Sequence, residues 1–315
     1  SVSPGTVVHL VVSSGPCPPA TVTVPDVTGQ PLSSAEGVLT ESGLVSGQVT
    51  EECSDTVPAG SVVGQDPAGG ASVSPGTVVH LVVSSGPCPV IFADPNLESA
   101  VRQTLGVGPG PITKADMLRL TTLSASQRNI TSLAGLEHAT NLEALYLQEN
   151  QLTDLEALSG LTNLRTLVLN NNALTSEALS ALSGLANLES LTLESNLITA
   201  VDSLSSLAKL TLLDLKGNQI EAVNALAGLS ELKTLILWSN RLTDEDLQAL
   251  STLTGLTYLD LRDNLLTNVS ALLSLTQLQT LHLTGNELDA TSCESVIPQL
   301  TARGVSVSCE DCCSP

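Results

Sequence analysis

The sequence predicts an α/β protein in two parts, a small α+β unit followed by a long solenoid of stacked parallel strands with short helices or turns behind them. Three observations carry this. Residues 1–18, SVSPGTVVHLVVSSGPCP, return letter for letter as residues 72–89, and an exact copy at an offset of 71 marks a repeated small domain. Between 119 and 288 the pattern LxxLxLxxNxL recurs, with Asn150, Asn172, Asn196, Asn218, Asn240, Asn264 and Asn286 spaced by 22 or 24 residues. The pattern changes sharply near Pro89, as a domain boundary would require.

Residues 1–17 are the strand-bearing end of a preceding repeat, so the chain is expected to begin inside a tandem array. One whole unit follows at 18–88. Its alternating TVTVPDVTG is extended; then PLSSAEGVLTESGL predicts a short helix starting near Ser33 or Ser34, with Val38, Leu39 and Leu44 on one face. Three strands follow, VSGQVTEEC, GSVVGQD and GTVVHLVVS, separated by Pro/Gly turns.

The VPDV start, the GL before the first strand, the VPAGSV turn and the closing VSSGP fall in that order, and over its whole length this unit resembles a PASTA domain. The resemblance implies either sensing of cell-wall fragments or a spacer. Capture of an anionic muropeptide would benefit from cations, and the first Lys or Arg of the chain is Arg102. The spacer role is therefore expected here.

The repeated LxL pairs identify 119–288 as a leucine-rich repeat array. Each pair turns its leucines inward and leaves the residues around them on a concave parallel sheet. Each ladder Asn turns inward as well, to satisfy backbone groups of neighbouring turns. The short units resemble internalin-like bacterial surface proteins. Residues 89–118 resemble their helical N-terminal cap, with Phe92, Leu97, Val101 and Leu105 closing the first turn and Arg128 where a ladder Asn would stand. The longer TSEALSALSGL and TDEDLQALSTL read as convex helical turns, and 289–315 as a C-terminal cap with a Cys-rich tail.

The concave columns contain Tyr146, Val168, Asn170, Thr192, Glu194, Leu212, Asp214, Lys216, Ile236, Trp238, Tyr258, Asp260, Arg262 and His282. Three of the chain's four aromatic residues fall among them, and Trp and Tyr supply contact area at low entropic cost. Strands also favour aromatics for their own sake. The candidate binding residues are Tyr146, Asp214, Ile236, Trp238, Tyr258, Asp260, Arg262 and His282, facing either a foreign partner or another copy of the chain. Asp260 and His282 occupy equivalent positions on adjacent turns and could hydrogen-bond. A nucleophile would have to be Thr280 or Thr284, on a face with no oxyanion device, so no enzyme is expected. Asp214 and Asp260 are separated by Ile236, too far apart to share a metal, and no cofactor is expected.

Seven cysteines lie at segment edges. Disulfides are expected over zinc despite the CxxC at 309–312. Cys17–Cys53 is favoured over Cys53–Cys88, and Cys293–Cys309 would close the C-terminal cap. Cys88, Cys312 and Cys313 are then left to join copies head to tail.

A net charge of −21 excludes the basic surface that nucleic acid requires, and no apolar run is long enough to insert in a membrane. The expected function is a non-enzymatic bacterial protein, secreted or on the cell surface. PASTA repeats would form a stalk and leucine-rich repeats would bind a protein or glycan in adhesion. The alternative is a structural subunit of an extracellular filament, a homopolymer. Asn129-Ile130-Thr131 and Asn268-Val269-Ser270 match the glycan acceptor pattern at a frequency near chance in so Ser/Thr-rich a chain.

Overall fold

The structure is a computed structural model that describes residues 3–7, 9–10, 15 and 20–310. It divides into two compact units, Ser1–Pro89 and Val90–Pro315.

In the first unit, β1 (Val22–Thr23) precedes α1 (Leu32–Glu41), followed by β2 (Val45–Glu52), β3 (Val62–Asp66), β4 (Ser72–Val73) and β5 (Val78–Ser84). α1 begins earlier than expected because Pro31 at its N-cap already holds φ at −56° and its missing N–H costs nothing at a helix start. The helix stops at Gly43, whose φ of 73° is left-handed backbone that glycine accepts freely.

β5 is the centre of a three-stranded sheet, parallel to β2 and antiparallel to β3, while β1 pairs with β4. Ala35 and Leu39 of α1 pack with Val24, Val27, Leu44, Val62, Val79 and Leu81 into one core, with Val38 at its edge. Gln65 pins the entering chain to this core: its Oε1 accepts from the Val27 N–H at 2.8 Å and its Nε2 donates to the Pro25 carbonyl at 2.9 Å.

Cys53 is bonded to Cys88, with Cα atoms 4.8 Å apart. This corrects the expected Cys17–Cys53 pairing and removes Cys88 from the cysteines that could join copies. The cause is the parallel register: Glu52 stands opposite Ser84, and the pairing continues through Ser85 N–H to the Glu52 carbonyl and Ser54 N–H to the Gly86 carbonyl. Two parallel strands end on the same side, so their trailing cysteines meet. Cys17 lies outside the described residues.

The second unit opens with α2 (Pro95–Leu105) and α3 (Lys114–Met117). Asp94 caps α2 by accepting from the N–H groups of Asn96 and Leu97, and its other oxygen accepts from the Thr131 N–H at 2.8 Å, tying the cap to the first repeat. Leu97 and Val101 are fully buried, with Phe92 and Leu105 packed at the edge of the same core.

Then come β6 (Thr122–Ser124), β7 (Ala144–Tyr146), β8 (Thr166–Val168), β9 (Ser190–Thr192), β10 (Leu212–Asp214), β11 (Thr234–Ile236), α4 (Asp246–Leu250), β12 (Tyr258–Asp260), β13 (Thr280–His282), α5 (Ile297–Ala302) and β14 (Ser306–Ser308). The strands form one nine-stranded sheet in chain order, all parallel.

The leucines of each LxL pair, from Leu145 and Leu147 to Leu281 and Leu283, are wholly buried. Each ladder Asn links consecutive turns. In Asn196, Oδ1 accepts from the Leu174 N–H while Nδ2 donates to the Leu169 and Leu193 carbonyls. The residue before each ladder Asn has positive φ: Glu149, Asn171, Ser195, Gly217, Ser239, Asp263 and Gly285. TSEALSALSGL forms a 3₁₀ turn at Ala178–Leu182 and TDEDLQALSTL forms α4.

At the far end α5 packs beneath β14, which pairs with β13 and covers its open edge. Cys293 is disulfide-bonded. Cys309 packs half-buried against the end of the core and forms no disulfide among the described residues, so the expected Cys293–Cys309 closure is not made. Cys312 and Cys313 lie outside the described residues.

Candidate functional site

The strand register turns the alternation of LxLx into columns on the open face of the sheet. In one column Tyr146, Val168, Thr192, Asp214, Ile236, Asp260, His282 and Ser308 stand side by side on successive strands. Beside it, after the second leucine of each pair, run Glu194, Lys216, Trp238 and Arg262.

This second column forms a stack. The Trp238 ring lies between two cations, with Lys216 Nζ 4.4 Å and Arg262 Cζ 3.9 Å from its centre, an arrangement favoured by the negative face of the indole. Lys216 is itself held by Glu194, Nζ to Oε1 2.6 Å. Arg262 forks onto Asp260, its Nε donating at 2.9 Å and 3.1 Å to the two carboxylate oxygens. Trp238 Nε1 donates to Asp263 Oδ2 at 2.6 Å. An indole held at both faces and at its N–H has little freedom left to lose on binding.

Asp263 lies outside the expected site residues. The residue before the ladder Asn is Glu at 149, Asn at 171, Gly at 217 and 285 and Ser at 195 and 239, so a carboxylate at 263, alone among the turns on either side of Trp238, is the sequence signal that could have found it. Gly285 makes room for it: a Cβ there would collide with Asp263 Oδ1, and its φ of 79° disfavours a side chain in any case.

Asp260 is 1% exposed and its partner is Arg262. His282 turns the other way, its Nδ1 2.6 Å from Ser308 Oγ, with its ring 5.4 Å from that of Tyr258 at a tilted angle. The expected contact between Asp260 and His282 is replaced by these two, and the Tyr–His pair extends the aromatic surface to β13. Burial raises the Tyr258 pKa, with the Asp260 charge adding to it, so its hydroxyl stays protonated.

Tyr146 stands apart from this cluster. Three strands, β8 to β10, separate it from Ile236, roughly 19 Å at about 4.8 Å per strand. Asp214 is half-buried, and among the described residues its carboxylate accepts a hydrogen bond only from the Lys216 backbone N–H, at 3.0 Å. Burial, with the charges of Glu194 and Asp260 added, raises its pKa above the ordinary carboxylate value. No group of three or more potential metal ligands occurs among the described residues.

Comparison with known proteins agrees with this geometry. Residues 22–85 match the PASTA domain model; residues 162–220 and 230–288 match a leucine rich repeat model, and 118–160 a model of two further leucine rich repeats. Among solved structures, internalin C2 from Listeria monocytogenes is 35% identical with a TM-score of 0.64, over 71% of this chain and 97% of that one.

The chain belongs to the internalin family. A second Listeria monocytogenes internalin is 26% identical with a TM-score of 0.60, over 71% of this chain and 72% of that one.

The internalin-like solenoid thus spans most of the molecule, and the PASTA unit has separate relatives. A probable serine/threonine-protein kinase of Corynebacterium efficiens is 44% identical over 84 residues, 26% of this chain. Another, of Clostridium acetobutylicum, is 38% identical over 86 residues. The chain spans only 12% and 13% of the lengths of these kinases. The likeness stops at the PASTA region.

No helix among the described residues is long and apolar enough to cross a membrane.

Proposed function

We propose that this is a non-enzymatic bacterial protein, displayed on the cell surface or secreted, whose internalin-like solenoid binds a protein partner through the concave face of its sheet. The PASTA unit serves as a spacer. The observation that carries this reading is the stack of Glu194, Lys216, Trp238, Arg262 and Asp260 beside the Tyr258–His282 pair. It concentrates three of the chain's few large rings on a solvent-open sheet and fixes the indole by interactions on both faces and at its N–H. Preorganised aromatic anchors flanked by Arg are what interface hot spots are made of. Ser308 Oγ and His282 Nδ1 do touch on the open face, but the carboxylate beside His282 in the register, Asp260, is held by Arg262 instead of orienting the imidazole, which supports binding over catalysis.

Adhesion to a glycan uses the same residues and is the outcome to be separated by experiment. The filament reading relied on Cys88, Cys312 and Cys313 as joints; Cys88 is committed to Cys53, and nothing among the described residues favours that reading.

The test displays the whole chain on a bacterial cell and measures its binding to a panel of purified extracellular proteins and polysaccharides. A protein ligand is expected whose binding is abolished by Trp238→Ala with Tyr258→Ala and unchanged by Glu156→Ala on the opposite side of the repeats. Binding that survives the double substitution would move the interface elsewhere.

A further inference from the structure

Among the described residues, the charges around Trp238 are each held by a side chain, Asp263 by the indole N–H and the others in ion pairs, with one exception. Lys216 is taken by Glu194 and Arg262 by Asp260. Asp214 lies between these pairs in the strand register, two strands from Asp260 with Ile236 between, and has no ion pair among the described residues. Lys216, two residues away, gives it a backbone hydrogen bond and a partial charge stabilisation, but its ammonium is bonded to Glu194.

Next to Asp214 on the neighbouring strand is Thr192, whose Oγ1 is buried with no hydrogen-bond partner among the described residues. A buried hydroxyl without a partner and a half-buried carboxylate that Lys216 only partly offsets both cost free energy, and a donor-rich cation at the carboxylate would recover part of it. Burial of the carboxylate is also what raises its pKa. The apolar Val168 and Ile236 stand in the same column on either side of this pair, and they suit the methylene stem of a long side chain.

Resting on the reading of the concave face as the binding surface, we infer that the partner protein presents a lysine or arginine side chain that docks on Asp214, its charged end at the carboxylate and its stem along Ile236 beside Trp238. The partner is therefore a basic or locally basic protein segment. The chain's net charge of −21 steers such a segment toward it before contact, and Asp214, which has no ion pair among the described residues, fixes where it lands. Lys216 and Arg262 repel a second cation from the indole faces, so one basic residue is accommodated at this point of the face.

The experiment uses the whole chain. Trp238 is its only tryptophan, so indole fluorescence reports on this face. Hexalysine, hexaarginine and hexaglutamate are titrated at about 50 mM and 150 mM salt against the unchanged protein, Asp214→Asn and Glu156→Gln. A saturable change with the two cationic probes is expected, weakened about five- to tenfold by Asp214→Asn, as for loss of one charge-assisted contact, and less than twofold by Glu156→Gln. Equal weakening by both substitutions, or none by Asp214→Asn, would overturn the inference, because attraction to the overall charge would then explain all binding. An indole response to hexaglutamate that survives Asp214→Asn would overturn it while leaving the concave face as the binding surface. No indole response to any probe would overturn it too, and the displayed-chain assay decides the broader reading independently.

Discussion

Replacing Arg262 by alanine tests how the concave cluster is built. Asp260 is 1% exposed, and Arg262 is its counter-ion through a forked pair of hydrogen bonds. Removing one partner of a buried ion pair costs about 3–5 kcal/mol because a charge is left uncompensated. Two features of the site place the value near 3 kcal/mol. The backbone N–H of residue 262 still donates to Asp260 at 3.2 Å, and the arginine side chain, 32% exposed, leaves a space that water can enter. Loss of the cation over Trp238 adds roughly 0.5–1 kcal/mol.

Urea unfolding of the whole chain, followed by Trp238 fluorescence and far-ultraviolet circular dichroism, measures the loss. The double variant Asp260→Asn with Arg262→Ala completes a cycle in which the coupling should exceed about 1.5 kcal/mol. A cost for Arg262→Ala below about 1 kcal/mol with coupling near zero would refute the reasoning. Asp260 would then be held by its backbone donor alone.

Three further outcomes are expected. Asn196→Ala removes contacts to Leu169, Leu174 and Leu193 and should cost about 3 kcal/mol in the same unfolding assay, whereas Ser239→Gly, at a φ of 56°, should be neutral or slightly stabilising. Reducing the Cys53–Cys88 bond, which closes a loop of 35 residues, should lower the stability of the PASTA unit by about 4 kcal/mol on the chain-entropy scale. Faster hydrogen exchange in β2 and β5 would show it. Burial pushes the Asp94 pKa up, but hydrogen bonds from Thr131, Asn96 and Leu97 outweigh it and hold the value below the ordinary one. Its contribution is therefore present above the unfolded value near 4 and lost as pH falls through the folded one, so Asp94→Asn should destabilise at pH 7 by about 1–2 kcal/mol and much less at pH 3. The raised pKa of Asp214 has the opposite sign, and Asp214→Asn should stabilise at pH 7, a cost of function rather than of folding.

The solenoid was legible because every turn repeats the same physical problem. Two leucines must be buried and one Asn must satisfy backbone groups between turns, so spacing alone marks Asn150 to Asn286 and the strand before each. The columns of the open face follow from the same period. Pairings within them do not, because side chains of similar reach compete. Asp260 had both His282 and Arg262 available, and the fork of a guanidinium two residues away prevailed over an imidazole on the next strand. The role of Asp263 depends on the bare Cα of Gly285 one turn later, a relation that no motif carries.

Disulfide pairing was the least legible feature. Parallel pairing of β2 with β5 sets which cysteines meet, and that register depends on the whole PASTA core rather than on loop length. Gln65 was missed for a similar reason: a half-buried amide that bridges Pro25 and Val27 looks in sequence like any polar strand residue.

The most direct test of the concave face as the interface is photocrosslinking from the full chain to the protein ligand identified in the displayed-chain assay, with benzoylphenylalanine placed at position 236 or at position 156. The account predicts a covalent adduct from 236, lost on Trp238→Ala, and none from 156. An adduct from 156 with none from 236 would contradict it and place binding on the opposite side of the repeats.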